Sequence, residues 1–132
     1  MKLPKNIIPY LSQKYDLAPN SYLKECVWAA KFKDSDFPES AAEHKRIQEK
    51  WAAKVGAGGW YGIEMTDRMP VVFYKAMDEF LEWALERNPN LEIHQIAQKF
   101  TWIKIYLGNV DKETFDACWQ LTALLTDKYI QW

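Results

Sequence analysis

The histidines and cysteines are candidates for chemistry, because imidazole and thiolate groups serve as bases, nucleophiles and metal ligands. The chain has two of each: His44, His94, Cys26 and Cys118. Their spacing matches no established site, and the sequence contains no HExxH, GxSxG, CxxC or DxDxG pattern. These four residues would bind a metal only if the fold gathered them. We therefore predict no metal, no cofactor and no catalytic residue.

The glycine-rich segment GAGGWYG holds four of the five glycines, at residues 56–62. Phosphate-binding loops lead from a strand into a helix N-terminus. This segment instead follows the C-terminus of a predicted helix, and no Lys-Ser or Lys-Thr pair comes after it. We interpret it as a tight connection. Because loops often carry binding residues, Trp60, Tyr61, Asp67 and Arg68 are nevertheless candidates for contact with a partner.

Residues 91–109 resemble a helix-turn-helix in composition, but no Gly or Ser break separates the two expected helices. Lys99 and Lys104 are the basic residues of the segment, whereas a recognition helix uses several donors to phosphates and bases. We keep nucleic-acid binding through this segment as an alternative function. The near balance of 17 basic and 18 acidic residues argues against it.

Aromatic residues are unusually frequent, with seven Trp, seven Tyr and six Phe. We assign Trp28, Trp51, Phe80, Trp83 and Trp119 to the core. A small bundle has few interior places for so many rings, and exposed Trp and Tyr are common anchors of protein interfaces. The candidates for exposed rings are Trp60, Tyr61, Trp102, Tyr106 and Trp132.

An acidic stripe recurs at every fourth residue of one predicted helix, at Asp78, Glu82 and Glu86. We expect it on the outer side of that helix, where it could add charge complementarity to a protein-binding surface. The alternative is an ordinary solvated helix face.

The elements that position these residues are predicted to be helices. Irregular residues 1–19, with a short helix over 10–15, precede helices at about 20–33, 40–55, 69–87, 91–108 and 111–132. Ser40 and Glu43 have capping-box spacing, and Asp111 is the expected N-cap of the last helix. Residues 60–66 could form a short strand. Residues 101–107 alternate like a strand, but apolar residues stepping by three and four from Ile93 to Leu107 favour a helix.

Length and composition favour a single domain. The 132 residues suit one mainly α domain, a bundle of about five helices over 1–132. The sequence is 48% apolar and 27% charged, and it shows neither a signal peptide nor a membrane span. Two cysteines are too few for a disulfide framework, so we expect a cytoplasmic protein.

The predicted function is that of a small protein-binding module without catalysis, acting as a regulator, inhibitor or adaptor. Its partner is another protein, and a homodimer is compatible with exposed rings. A second alternative is a small-ligand binder or an enzyme, which would need a pocket where His44 or His94 meets carboxylates such as Glu64 or Asp67.

Overall fold

The computed structural model describes residues 4–17, 37–55, 63–64, 71–99 and 102–129. These residues are mainly helical, with a small sheet. The elements in chain order are α1 (Ile7–Tyr15), α2 (Phe37–Val55), β1 (Ile63–Glu64), α3 (Val71–Arg87), β2 (Glu92–Lys99), β3 (Trp102–Gly108) and α4 (Lys112–Tyr129). None of the helices in these ranges is long and apolar enough to cross a bilayer.

Helix α1 begins earlier than predicted, at Ile7 rather than Tyr10, so residues 7–9 are helical rather than irregular. Pro9 is the third helical residue, where its missing N–H costs nothing because the first four amides of a helix have no intrahelical acceptor. The helix ends at Asp16, which has a left-handed backbone with φ 54°. Leu17 N then donates to Ser12 O at 3.0 Å, closing the last turn.

Helix α3 is the central element, packing against α1, α2 and α4. It carries nine buried residues, so apolar groups occupy far more than one stripe of its surface. Phe80 and Trp83 lie in the core as predicted, and Trp51 of α2 is also fully buried. The buried residues of the described elements form one cluster.

The predicted helix over 91–108 is wrong, because the chain forms an antiparallel hairpin there. Ile96 pairs with Ile105, and Ile93 pairs with Leu107. A β-bulge between Ile93 and Gln95 adds one residue to β2. Ile93 and Ile96 therefore face the core together although they are three apart, and this spacing imitates a helical period. The helix-turn-helix interpretation of 91–109 fails with the helix.

The sheet has the order β1-β2-β3. Strand β1 pairs in parallel with β2, Ile63 opposite Ile96, so the short strand expected within 60–66 is present as two residues. The bundle has four helices in the described ranges rather than about five. The predicted helix at 20–33 and the glycine-rich segment lie outside these ranges.

The helix ends agree with the capping predictions only in part. Asp111 caps α4 as predicted, with Thr114 N donating to its Oδ1 at 2.8 Å. The capping box at Ser40 is wrong, because α2 begins three residues earlier, at Phe37. Ser40 Oγ is instead buried, with no hydrogen-bond partner among the described residues.

Candidate functional site

The acidic stripe does not lie on the outer side of the molecule as predicted. Asp78 is buried beneath α2, and its carboxylate accepts from Lys50 Nζ at 2.9 Å and from Arg46 Nη2 at 3.0 Å. Trp51 Nε1 donates to Asp78 Oδ1 at 2.8 Å. Burial disfavours the charged carboxylate, but these three hydrogen bonds outweigh it and hold the pKa of Asp78 below its ordinary value.

Glu82 continues the same contact one turn later. Its Oε1 lies 2.8 Å from Lys50 Nζ and 2.9 Å from Lys54 Nζ, again on α2. Glu86 is the exposed member of the stripe. Two of the three carboxylates therefore join α2 to α3, and the stripe is not a free acidic surface.

A second cluster of polar side chains, which was not predicted from the sequence, surrounds the carboxylate of Glu79 and joins α1 to α3. Glu79 accepts from Lys14 Nζ at 2.9 Å, from Tyr10 Oη at 3.0 Å and from Tyr15 Oη. Burial and the bond to Glu79 raise the pKa of Tyr15 to about 12. The three donors are Tyr10, Lys14 and Tyr15, whose spacing places them on one side of α1. The spacing alone does not predict which element this side of the helix contacts.

An apolar groove lies between β3 and α4, with a volume of about 210 Å³. We call it the β3–α4 groove. Strand β3 is at the edge of the described sheet, and α4 packs beside it. The residues that line the groove are Lys104, Ile105, Tyr106, Leu107, Val110, Phe115, Cys118, Trp119 and Thr122.

Two polar side chains that line this groove are bonded within the protein. Cys118 Sγ donates to Ile105 O at 3.3 Å, and Thr122 Oγ1 donates to Cys118 O at 2.8 Å. Further along, Ile103 N donates to Thr126 Oγ1 at 3.0 Å. Helix α4 thus covers part of the β3 edge, which would otherwise present unpaired backbone groups.

Three large rings form the rim of the groove and are about half exposed. The exposed fractions are 48% for Tyr106, 53% for Phe115 and 55% for Trp119. Trp119 was predicted to lie in the core, and that prediction is wrong. An apolar hollow with half-exposed rings at its mouth can bind apolar groups, because covering the rings removes apolar surface from water.

Among the described residues, those considered for chemistry do not assemble into a site. Burial raises the pKa of Cys118 to about 12, which keeps its thiol protonated and weakens it as a nucleophile or metal ligand. His94 lies on β2, where its Nε2 is 2.9 Å from Glu92 Oε1, whereas His44 is on α2 against the Tyr74 ring. Within the described part of the chain, no three His, Cys, Asp or Glu residues are placed to hold a metal ion.

The candidate binding residues from the sequence have mixed outcomes. Tyr106 is exposed and belongs to the rim, and Trp102 opens β3. Trp60, Tyr61, Asp67, Arg68 and Trp132 lie outside the described residues. Phe115 and Trp119 were missed as rim residues. Their i, i+4 spacing places them on one helix face, but Trp119 was assigned to the core.

No protein-family model matches the chain, and no curated protein or solved structure matches it.

Proposed function

We propose that this chain is a small protein-binding domain without catalysis of its own, and that an apolar segment of a partner binds in the β3–α4 groove. The observation that carries the proposal is the rim, where three large rings remain about half exposed around an apolar hollow. Trp and Tyr are enriched among the residues that contribute most to protein interfaces. The proposal drops the acidic stripe, because Asp78 and Glu82 are paired with α2.

The regulator, inhibitor or adaptor role and the cytoplasmic location remain part of this proposal. A free thiol at the buried Cys118 suits a reducing compartment. The nucleic-acid alternative has lost the helix-turn-helix that supported it, since residues 92–99 and 102–108 are strands.

The test is selection of binding peptides against the intact chain. A phage-displayed library of random 12-residue peptides is panned on the wild type, and the enriched peptides are measured on three variants. These are Phe115→Gln, Trp119→Gln and, as the matched control, Val72→Gln. Val72 is another exposed apolar residue, 40% accessible, and it lies on α3 away from the groove lining.

We expect each rim variant to weaken peptide binding about 30-fold, since loss of an aromatic interface residue costs about 2 kcal/mol. The Val72→Gln control should bind like the wild type. Val72→Gln should unfold within about 0.5 kcal/mol of the wild type. Each rim variant should lose about 2 kcal/mol, because about half of its ring is buried, so binding is measured under conditions in which every variant is folded. The proposal fails if no peptide is enriched, or if enriched peptides bind the rim variants and the wild type equally.

A further inference from the structure

We propose that the β3–α4 groove receives one aromatic side chain, a phenylalanine or tryptophan, carried on a short non-strand segment of the partner protein. This inference rests on the proposed function and names what the groove recognises. Four features of the groove support it: its volume, its bonded polar groups, the covered strand edge and the small area of its rim.

The volume fits a single ring. The groove measures about 210 Å³, and an engineered apolar cavity of about 150 Å³ in another protein binds benzene. A phenyl or indole group therefore fits, whereas several large side chains together do not. One ring would contact Ile105, Leu107 and Val110, which line the hollow.

The bonded polar groups select an uncharged occupant. The hydroxyl of Thr122 and the thiol of Cys118 both donate to backbone carbonyls. Neither hydrogen is left to bond an occupant, so a carboxylate placed against these two residues would lose its hydration without a replacement donor there. Lys104 is the charged member of the lining. An aromatic ring has little hydration free energy to lose, and its transfer from water into an apolar groove is favourable.

The partly covered edge of β3 argues against recognition of an added strand. Strand addition requires free backbone donors and acceptors along the edge. The N–H of Ile103 and the carbonyl of Ile105 are already bonded to Thr126 and Cys118. The partner segment therefore binds through a side chain, as a helix or loop does, rather than through a ladder of backbone bonds.

The rim area argues against a second copy of this chain as the occupant. A large aromatic side chain buries roughly 200 Å² when fully covered, so three rings that are half exposed offer roughly 300 Å². A stable dimer buries at least about 600 Å² on each partner, so a second copy would have to bury about as much surface again outside the three rings. A short segment with one dominant anchor needs no more area than the rim provides.

The first experiment uses isolated side chains as probes. N-acetyl amides of phenylalanine, tryptophan, lysine and glutamate are titrated into the isotope-labelled protein, and amide signals are followed by NMR. We expect the two aromatic amides to shift the Ile105, Leu107 and Val110 signals with dissociation constants on the order of 1 mM. Trp119→Gln should weaken this binding at least threefold, and Val72→Gln should not change it. Equal shifts from the lysine or glutamate amide, or no shifts at these residues, would overturn the inference.

The second experiment uses the selected peptides and separates this inference from the proposed function. Alanine replacement of one aromatic residue should cost each peptide at least 30-fold, with less than threefold at other positions. If the peptides depend on the rim but lose affinity evenly along their length, the function stands and the single anchor is wrong. If free indole binds as tightly as the best peptide, the groove is a small-ligand site and the inference is wrong.

The oligomeric state tests whether a second copy of this chain occupies the groove. Sedimentation of the wild type between 10 µM and 1 mM should show a monomer. A dimer that disappears in Trp119→Gln would place a second copy in the groove and would overturn the inference.

Discussion

Two consecutive carboxylates, Asp78 and Glu79, connect α3 to different neighbours. Successive helical residues point about 100° apart, so Asp78 reaches Arg46, Lys50 and Trp51 on α2, while Glu79 reaches Tyr10, Lys14 and Tyr15 on α1. The Asp78 contacts are the more enclosed, because Trp51 is fully buried and its indole N–H has Asp78 as its acceptor. A buried donor that loses its acceptor is costly.

Replacing Asp78 therefore should destabilise the protein strongly. We expect Asp78→Ala to lower the free energy of unfolding by about 3 kcal/mol, because it leaves the Trp51 N–H without an acceptor and separates two cations from their partner. Asp78→Asn retains an acceptor for Trp51 and should cost about 1–2 kcal/mol. Urea unfolding measures both losses.

Glu86→Ala is the matched control for Asp78, since Glu86 is an exposed acidic residue on the same helix. It should change stability by no more than about 0.5 kcal/mol. Similar losses for Asp78→Ala and Glu86→Ala would show that the Asp78 contacts contribute little.

At the scale of elements, the junction between α3 and α4 is held by one buried amide. Asn88 follows the end of α3, and its Nδ2 donates to Ala84 O and to Thr114 Oγ1, both at 2.9 Å. Its Oδ1 accepts at 2.8 Å from the backbone N–H of Asp111, the N-cap of α4. Asn88 therefore ties the C-terminus of one helix to the start of the other, across the intervening hairpin.

Asn88→Ala should cost about 2 kcal/mol, because the bonds made by the amide are lost and the buried Thr114 hydroxyl loses a donor. Thermal and urea unfolding measure the loss. Asn90→Ala is the control, since Asn90 is exposed and bonds to Asn109 through its backbone oxygen, which alanine keeps. A loss below about 0.5 kcal/mol for Asn88→Ala would contradict this role.

For the molecule as a whole, α3 is the centre to which α1 and α2 attach through its carboxylates. Asp78 and Glu82 contact α2, and Glu79 contacts α1. In each case burial opposes ionisation, but hydrogen bonds from neighbouring donors outweigh it, so the pKa of all three carboxyls lies below its ordinary value. The stability of the assembled helices is therefore coupled to pH.

The sign of this coupling predicts loss of stability in acid. Ordinary carboxyl pKa values are 3.8 for Asp and 4.5 for Glu, and lower values in the folded state mean that the unfolded chain binds protons first. The contribution is complete above about pH 5 and declines as the pH falls through these values. Urea midpoints should stay level from pH 7 to about 5 and fall steadily towards pH 3.

A double variant, Asp78→Asn with Glu79→Gln, supplies the control. It should be less stable than the wild type at pH 7, and the difference should narrow towards pH 3, because the unfolded wild-type chain binds protons as the pH falls through the ordinary carboxyl values. A midpoint that does not change between pH 6 and pH 3 would contradict the proposed coupling.

The sequence was a good guide where one local pattern dominated. The helices α2, α3 and α4, the N-cap Asp111 and the buried ring of Trp51 were predicted from periodicity and capping chemistry. The hairpin was missed because the bulge placed Ile93 and Ile96 at helical spacing. The rim was only partly predicted, since Tyr106 was a candidate whereas Phe115 and Trp119 were not.

The amino-acid sequence by itself determined that this chain would be mainly helical, with a core of large rings, because helical periodicity and caps are properties of neighbouring residues. Only the tertiary structure decided which charged faces were covered and which rings stayed exposed. The acidic stripe became a helix contact because α2 places Lys50 and Arg46 against it, and the Trp119 ring became part of a groove because β3 lies beside α4. Those outcomes depend on residues far apart in the chain, and periodicity along one element carries no information about what will pack against it.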